Sequence, residues 1–158
     1  MMLAYRLVRL IEARSHPLAD SLLDRVTESD LLRDYQKVPS SELQERVYEI
    51  YRHLGDWLLG ASDFDIEKRY VEIGARRAQQ RVPLSQVIWT IIQTKENLWD
   101  FLEREASLDR PAEIFGELEF LQLLEQFFER AIYYAAIGYE RETNRNTNQE
   151  NARNVVGN

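Results

Sequence analysis

Residues 76–102 pass from the end of one helical pattern, through a single proline at Pro83, into a second pattern that is apolar around most of its circumference. Plotted at 100° per residue, Leu84, Val87, Ile88, Ile91, Leu98, Trp99 and Leu102 form one broad face, and Trp89, Ile92 and Phe101 widen it. A helix this apolar must be covered on two sides, so the rest of the chain has to supply amphipathic helices around it.

The flanking sequence carries such helices. Leu3, Leu7, Leu10 and Ile11 recur at helical spacing, and Pro17, compatible with a first turn, opens a segment with Leu18, Leu22, Leu23 and Val26 on one side. A short helical stretch over 29–38 is closed by Pro39. Ser41 and Gln44 form a capping-box pattern into a helix striped by Leu43, Val47, Ile50, Leu54, Trp57 and Leu58, with Gly60 at its C′ position. Ser62 and Asp65 open the next helix, whose inner face carries Ile66, Tyr70, Ile73 and Gly74, the glycine marking close approach of a neighbouring backbone. Arg77 and Arg81 continue that face.

The helix over 84–106 is followed by a connection over 107–111, short enough to force an antiparallel return. The last helix, from 112 to at least 141, has an apolar arc of Leu118, Phe120, Leu121, Leu124, Phe127, Phe128, Ala131, Ile132, Ala135 and Tyr139. No alternating strand pattern or hairpin signal occurs. The expected fold is all-α: a compact helical bundle over 1–142 with a long antiparallel C-terminal hairpin. The asparagine-rich segment 143–158 is expected to be a polar frayed tail or linker.

Charge and composition narrow the function. Lys plus Arg is 20 against 27 Asp plus Glu, a net charge of −7, which repels a phosphate backbone and an anionic membrane surface. Neither nucleic acid nor a membrane is an expected partner. The longest apolar run, 131–137, falls far short of the roughly 20 residues of a membrane span, and the N-terminus lacks signal-peptide features. With no cysteine, disulfides, thiolate metal sites and a cysteine nucleophile are excluded, and the cytoplasm is the expected compartment.

The residues give no catalytic constellation. His53 lies one turn from Ile50 and Trp57, a place that would suit a haem ligand in a globin-like fold and equally an amphipathic edge residue, the commoner outcome. Glu49 with His53, and Glu12 with His16, are spaced four apart rather than the three of di-iron bundles, so no metal site is expected. Lys68, Arg69, Arg76, Arg77 and Arg81 are interleaved with Asp65, Glu67 and Glu72, as on a solvated, internally paired helix face. No serine, histidine and acid arrangement or glycine-rich phosphate loop is visible, so neither an enzyme nor a cofactor is expected. Lys95 sits among Ile88, Ile91, Leu98 and Trp99; it either snorkels to water or is buried, in which case counting back from the loop makes Glu125 its partner.

Trp89 and Ile92 on the first long helix, and Phe120, Leu123 and Phe127 on the second, are read as lying off the side turned to the core. Left in water they would form a sticky patch. They are therefore the candidate interface of a homodimer, the rival being that the N-terminal helices wrap over them within one chain.

The string Arg76-Arg77-Ala78, then Val82-Pro83-Leu84, then Leu98-Trp99, resembles the N-terminal sensor domain of RsbR-type stressosome proteins, the RsbT co-antagonist family, also seen ahead of bacterial histidine kinases. In that pattern a helix ends in arginines and alanine, a Gly-Val-Pro-Leu turn follows, and a Leu-Trp pair comes about four turns later; here Arg81 stands in place of the glycine. The resemblance implies a globin-like, haem-free, homodimeric sensory domain that passes a signal along its final helix to a C-terminal output domain or a signalling-protein partner. The chain ending at Asn158 would be an isolated module, a stand-alone relative or a fragment. The two functions this leaves are a non-catalytic sensory and protein-interaction domain, and a small-ligand or haem-binding globin-like sensor using a pocket near His53.

Overall fold

The computed structural model describes residues 2–60, 63–105 and 111–157. Among them are seven α-helices: α1 (Met2–Ala13), α2 (Ser15–Glu28), α3 (Ser40–Arg52), α4 (Leu54–Leu59), α5 (Asp63–Gln79), α6 (Leu84–Glu105) and α7 (Pro111–Val156), with a 3-10 segment, Asp30–Lys37, between α2 and α3. No strand occurs among the described residues, and the fold is all-α.

Two long helices carry the architecture, as the apolar periodicity of 84–141 predicts. Lys95 on α6 faces Glu125 on α7, and the Val82 carbonyl just before α6 faces Tyr139, so these helices run antiparallel. Residues 106–110, where the short connection between them is expected, and the expected Ser62 cap lie outside the described residues.

The closest backbone contact, however, joins α7 to α5. These two run in the same direction, with Gly74 level with Gly138 and Gln79 level with Glu142. A Cβ on Gly74 would overlap the Ala135 carbonyl, and one on Gly138 would overlap the Val71 carbonyl, so each glycine admits the other helix's backbone. The buried face of α7 tapers accordingly: Leu124 and Phe128 give way to Ala131, Ala135 and Gly138 before ending at Glu142. Large side chains fill the wide end and small ones close the narrow end.

A buried polar seam binds the N-terminal helices to α6. Asn97, 1% exposed, donates from Nδ2 to the Leu18 carbonyl at 3.0 Å and the Tyr51 hydroxyl at 3.3 Å, and accepts from Ser21 Oγ at 2.8 Å. The Tyr51 hydroxyl donates in turn to the Thr94 carbonyl at 3.1 Å. Every polar atom of Asn97 is thus used, which is what makes its burial tolerable, and α2, α3 and α6 are fixed in one register.

Several expectations are corrected. The helix read as continuous over 41–58 breaks at His53 (φ −110°, ψ 13°), giving α3 and α4. Ser41 forms no capping box, because α3 begins one residue earlier behind Pro39 with no side-chain cap. Gly60 ends α4 at φ −137°, outside the left-handed region its C′ role would use. Residues 143–156 are not frayed: they extend α7 as helix, all exposed, roughly 20 Å beyond Glu142. Phe120 and Phe127 are 1% and 2% exposed within the single chain, so they belong to its core and have no surface to offer a second copy. The reason is the buried arc of α7, wide at this end: Phe127 packs against Trp57 of α4 and Tyr70 of α5, ring centroids 5.6 and 5.9 Å away. Trp89, Ile92 and Leu123 remain partly exposed.

Candidate functional site

Where α5 gives way to α6, the last helical carbonyls need partners and the chain must reverse. Arg81 solves this in the left-handed conformation (φ 60°), the one non-glycine residue with positive φ among those described. Its amide donates to the Ala78 carbonyl at 3.0 Å and the following Val82 amide to the Arg77 carbonyl at 3.1 Å, the paired bonds of a Schellman turn. Val82 is completely buried behind it, and Pro83 prevents the helix from resuming early. The position where the sequence pattern leads one to expect glycine is thus one whose backbone calls for glycine.

Three other elements converge on this turn. From the 3-10 segment, Lys37 donates to the Arg81 carbonyl at 3.3 Å, and the Asp34 amide and carboxylate bracket the Gln86 side chain at 3.0 and 2.7 Å. Lys37, and then Gln86, hold the half-buried Asp34 carboxyl below its ordinary pKa. From α7, the Tyr139 hydroxyl donates to the Val82 carbonyl at 2.6 Å, and Gln79 Nε2 lies 3.4 Å from Glu142 Oε1. From α3, Glu42 accepts from Arg77 at 2.9 Å, from Arg76 at 3.4 Å and from Gln80 at 3.2 Å.

Arg77 is the centre of the cluster. Its side chain is 3% exposed, its guanidinium lies 5.8 Å from the centroid of the Tyr35 ring, and its charge is met by Glu42. Burial raises the pKa of the Glu42 carboxyl, but the Arg77 and Arg76 guanidiniums outweigh it and leave the carboxyl below its ordinary value. The basic run expected to be a solvated face is therefore split: Arg76 and Arg81 are exposed, whereas Arg77 turns inward because it continues the Ile66, Tyr70 and Ile73 face.

Beneath Arg77 lies a small cavity of about 50 Å³ bounded by the 3-10 segment, α3, α5, α6 and α7. Thr90 lines it, and its buried Oγ1 has no hydrogen-bond partner. Burial pushes the Tyr35 phenol up; Thr90 is near enough to oppose that rise, yet its hydroxyl reaches no partner at hydrogen-bonding geometry.

His53 stands elsewhere. It is more than half exposed, 3.8 Å from Asp56, and lines an open cleft with Glu12, Arg52 and Asp56 rather than an apolar interior. A haem face needs apolar walls, and these are charged, so the cleft at His53 is not the kind a globin-like haem would enter, and His53 sits as the amphipathic edge residue the sequence favoured. Lys95 and Glu125 do come together, at 3.3 Å, but with 26% and 38% of their side chains exposed the pair is half-buried rather than sealed in the core. Among the described residues no group of three His, Cys, Asp or Glu side chains is placed to share a metal ion. Nor is any helix long and apolar enough to cross a membrane.

A family model, the RsbT co-antagonist protein rsbRD N-terminal domain, matches residues 16–153, nearly the whole helical body including the arginine turn. The chain belongs to that family. The rsbRD N-terminal domain is a stressosome-related signalling input domain, which places the helical body described above in signal transduction. No curated protein and no solved structure matches the chain. Sequence reasoning reached the family through Arg76, Arg77 and Val82-Pro83-Leu84; it did not reach Glu42, Tyr139 or Thr90. Nothing in the sequence pattern marks Glu42 as the partner of Arg77.

Proposed function

We propose that this rsbRD N-terminal domain is a non-catalytic sensory module whose output is α7, working as a homodimer and acting through contacts with a signalling partner or a C-terminal output domain. The observation that carries the reading is the division of α7 at Glu142. Up to that residue the helix is locked to α5 by Gly138 and to the arginine turn by Tyr139; after it, residues 143–156 continue as helix with every side chain exposed. A rigid helix held at one end by the body and free at the other transmits a shift of its grip as a movement of its tip.

The homodimer reading is narrowed to Trp89 and Ile92 on α6 with Leu123 on α7, the candidates that keep exposed surface. The apolar surface these three side chains leave partly exposed is what a two-fold contact would bury. Sedimentation equilibrium tests it. The wild type is expected to be dimeric at micromolar concentration and a Trp89→Glu, Leu123→Glu double variant monomeric. A monomeric wild type, or a dimer indifferent to both charges, would overturn the proposal.

A further inference from the structure

We infer that the cavity beneath Arg77 is a binding site for a small uncharged molecule of a few non-hydrogen atoms, bearing one hydroxyl or carbonyl group on an otherwise apolar body. Thr90 is only 7% exposed, and its Oγ1 is the one buried side-chain polar atom without a partner among the described residues. A buried hydroxyl left unpaired costs about 1–3 kcal/mol, and native interiors seldom carry one that nothing satisfies. Thr94, one turn on, shows the alternative open to a helical threonine: its Oγ1 donates back to the Thr90 carbonyl at 2.8 Å. Thr90 has no such bond; its hydroxyl borders the cavity together with the Tyr35 phenol, which lies close by without completing a hydrogen bond to it.

The walls define the ligand. Val47, Ile50, Val87, Ile91 and Phe128 make most of the lining apolar, which favours a hydrocarbon or similarly nonpolar remainder. The buried cation at the cavity, Arg77, is already engaged by Glu42 at 2.9 Å, so a bound anion would lose its hydration without gaining a free buried counter-charge. The volume of about 50 Å³ admits a few water-sized groups and excludes a haem, a nucleotide or a sugar. Arg46 and Ile73, both partly exposed, stand where such a molecule would enter. Phe128 is on α7 and Arg77 in the arginine cluster, so an occupant would touch both the output helix and the residue that anchors the turn. The binding site does not depend on the homodimer; only its use for sensing rests on the signalling function proposed above.

Ethanol and xenon, followed by methyl nuclear magnetic resonance on the whole chain, test the site. Ethanol has three non-hydrogen atoms, so even an ideal fit gives affinity no tighter than roughly millimolar. Saturable shifts are expected at the methyls of Thr90, Val87 and Ile91 with both probes. Thr90→Val keeps the shape and removes the hydroxyl; it should weaken ethanol about three- to tenfold and leave xenon unchanged, the factor of one hydrogen bond. Thr90→Ser, which restores a hydroxyl, should restore ethanol binding, and Val87→Ile, which fills the space, should weaken both probes. Shifts that do not saturate, that fall on surface methyls instead, or that respond to Thr90→Val equally for both probes would overturn the inference, as would a resident water at Thr90 that ethanol fails to displace. Sedimentation reads the dimer independently, so failure of one proposal does not disguise failure of the other.

Discussion

Helix α7 is held by α5 and by α6 in two different ways. Against α5 it makes backbone contact, with two glycines each facing the other helix's carbonyl and no room for a methyl group. Against α6 the ion pair is a partly exposed one, Lys95 with Glu125, whose flexible ends adjust. The first contact fixes position because nothing in it can yield; the second can be altered without moving the helix. In the proposed role of α7 as an output element that asymmetry is useful, since one neighbour sets the helix's register while the ion pair to the other tolerates change.

The largest effect should therefore come from adding one methyl group to the α5 contact. Gly74→Ala or Gly138→Ala forces α5 and α7 apart, and each is expected to cost on the order of 3 kcal/mol, a fall of about 10 °C in melting temperature, despite alanine's better helix propensity. Lys95→Met should stay within about 1 kcal/mol of wild type in the same thermal melts. If the two classes of variant destabilised equally, the contrast between the contacts would be gone.

Next in size is Glu42→Gln, which leaves the buried Arg77 without its counter-charge. We expect a loss of about 2 kcal/mol at neutral pH, less than for a fully buried pair because Glu42 keeps some exposure. The Glu42 carboxyl titrates lower in the folded chain than its ordinary value of 4.5. Its pairing thus contributes fully above about pH 5 and is lost as the pH falls through the folded value. Denaturant melts between neutral pH and pH 3 should show wild type and variant converging on the acid side; a constant gap would show that Glu42 acts by packing alone.

The smallest effect has the opposite sign. Arg81→Gly relieves a left-handed residue and should stabilise by up to about 1 kcal/mol, offset in part by the greater entropy of the unfolded chain. A destabilised variant in chemical denaturation would mean that the Arg81 side chain holds the turn.

Much of this was legible in the sequence because it followed from periodicity. The over-apolar face of 84–102, the break at Pro83 and the close approach at Gly74 all lie in spacing and residue type. What escaped required knowing which helix lay opposite. Gly138 acquires meaning only beside Val71, and Phe127 looks like surplus apolar surface until Trp57 and Tyr70 are placed over it. The helical state of 143–156 escaped because hydrophobic burial, the usual signal, is absent there; local backbone bonding continues a helix already nucleated in the body. Asn97 passed unnoticed among apolar neighbours, since a single polar residue reveals its partners only in three dimensions.

The central claim is that α7 is gripped as far as Glu142 and projects beyond it. Native-state hydrogen exchange along α7 tests this most directly. Amides over 124–142 should exchange only through near-global unfolding, and those over 144–156 orders of magnitude faster. Gly74→Ala should lower protection over 131–142 while leaving the tip as it was. Equal protection along the whole helix, or a Gly74→Ala variant with undiminished protection at Ala135 and Gly138, would contradict the account.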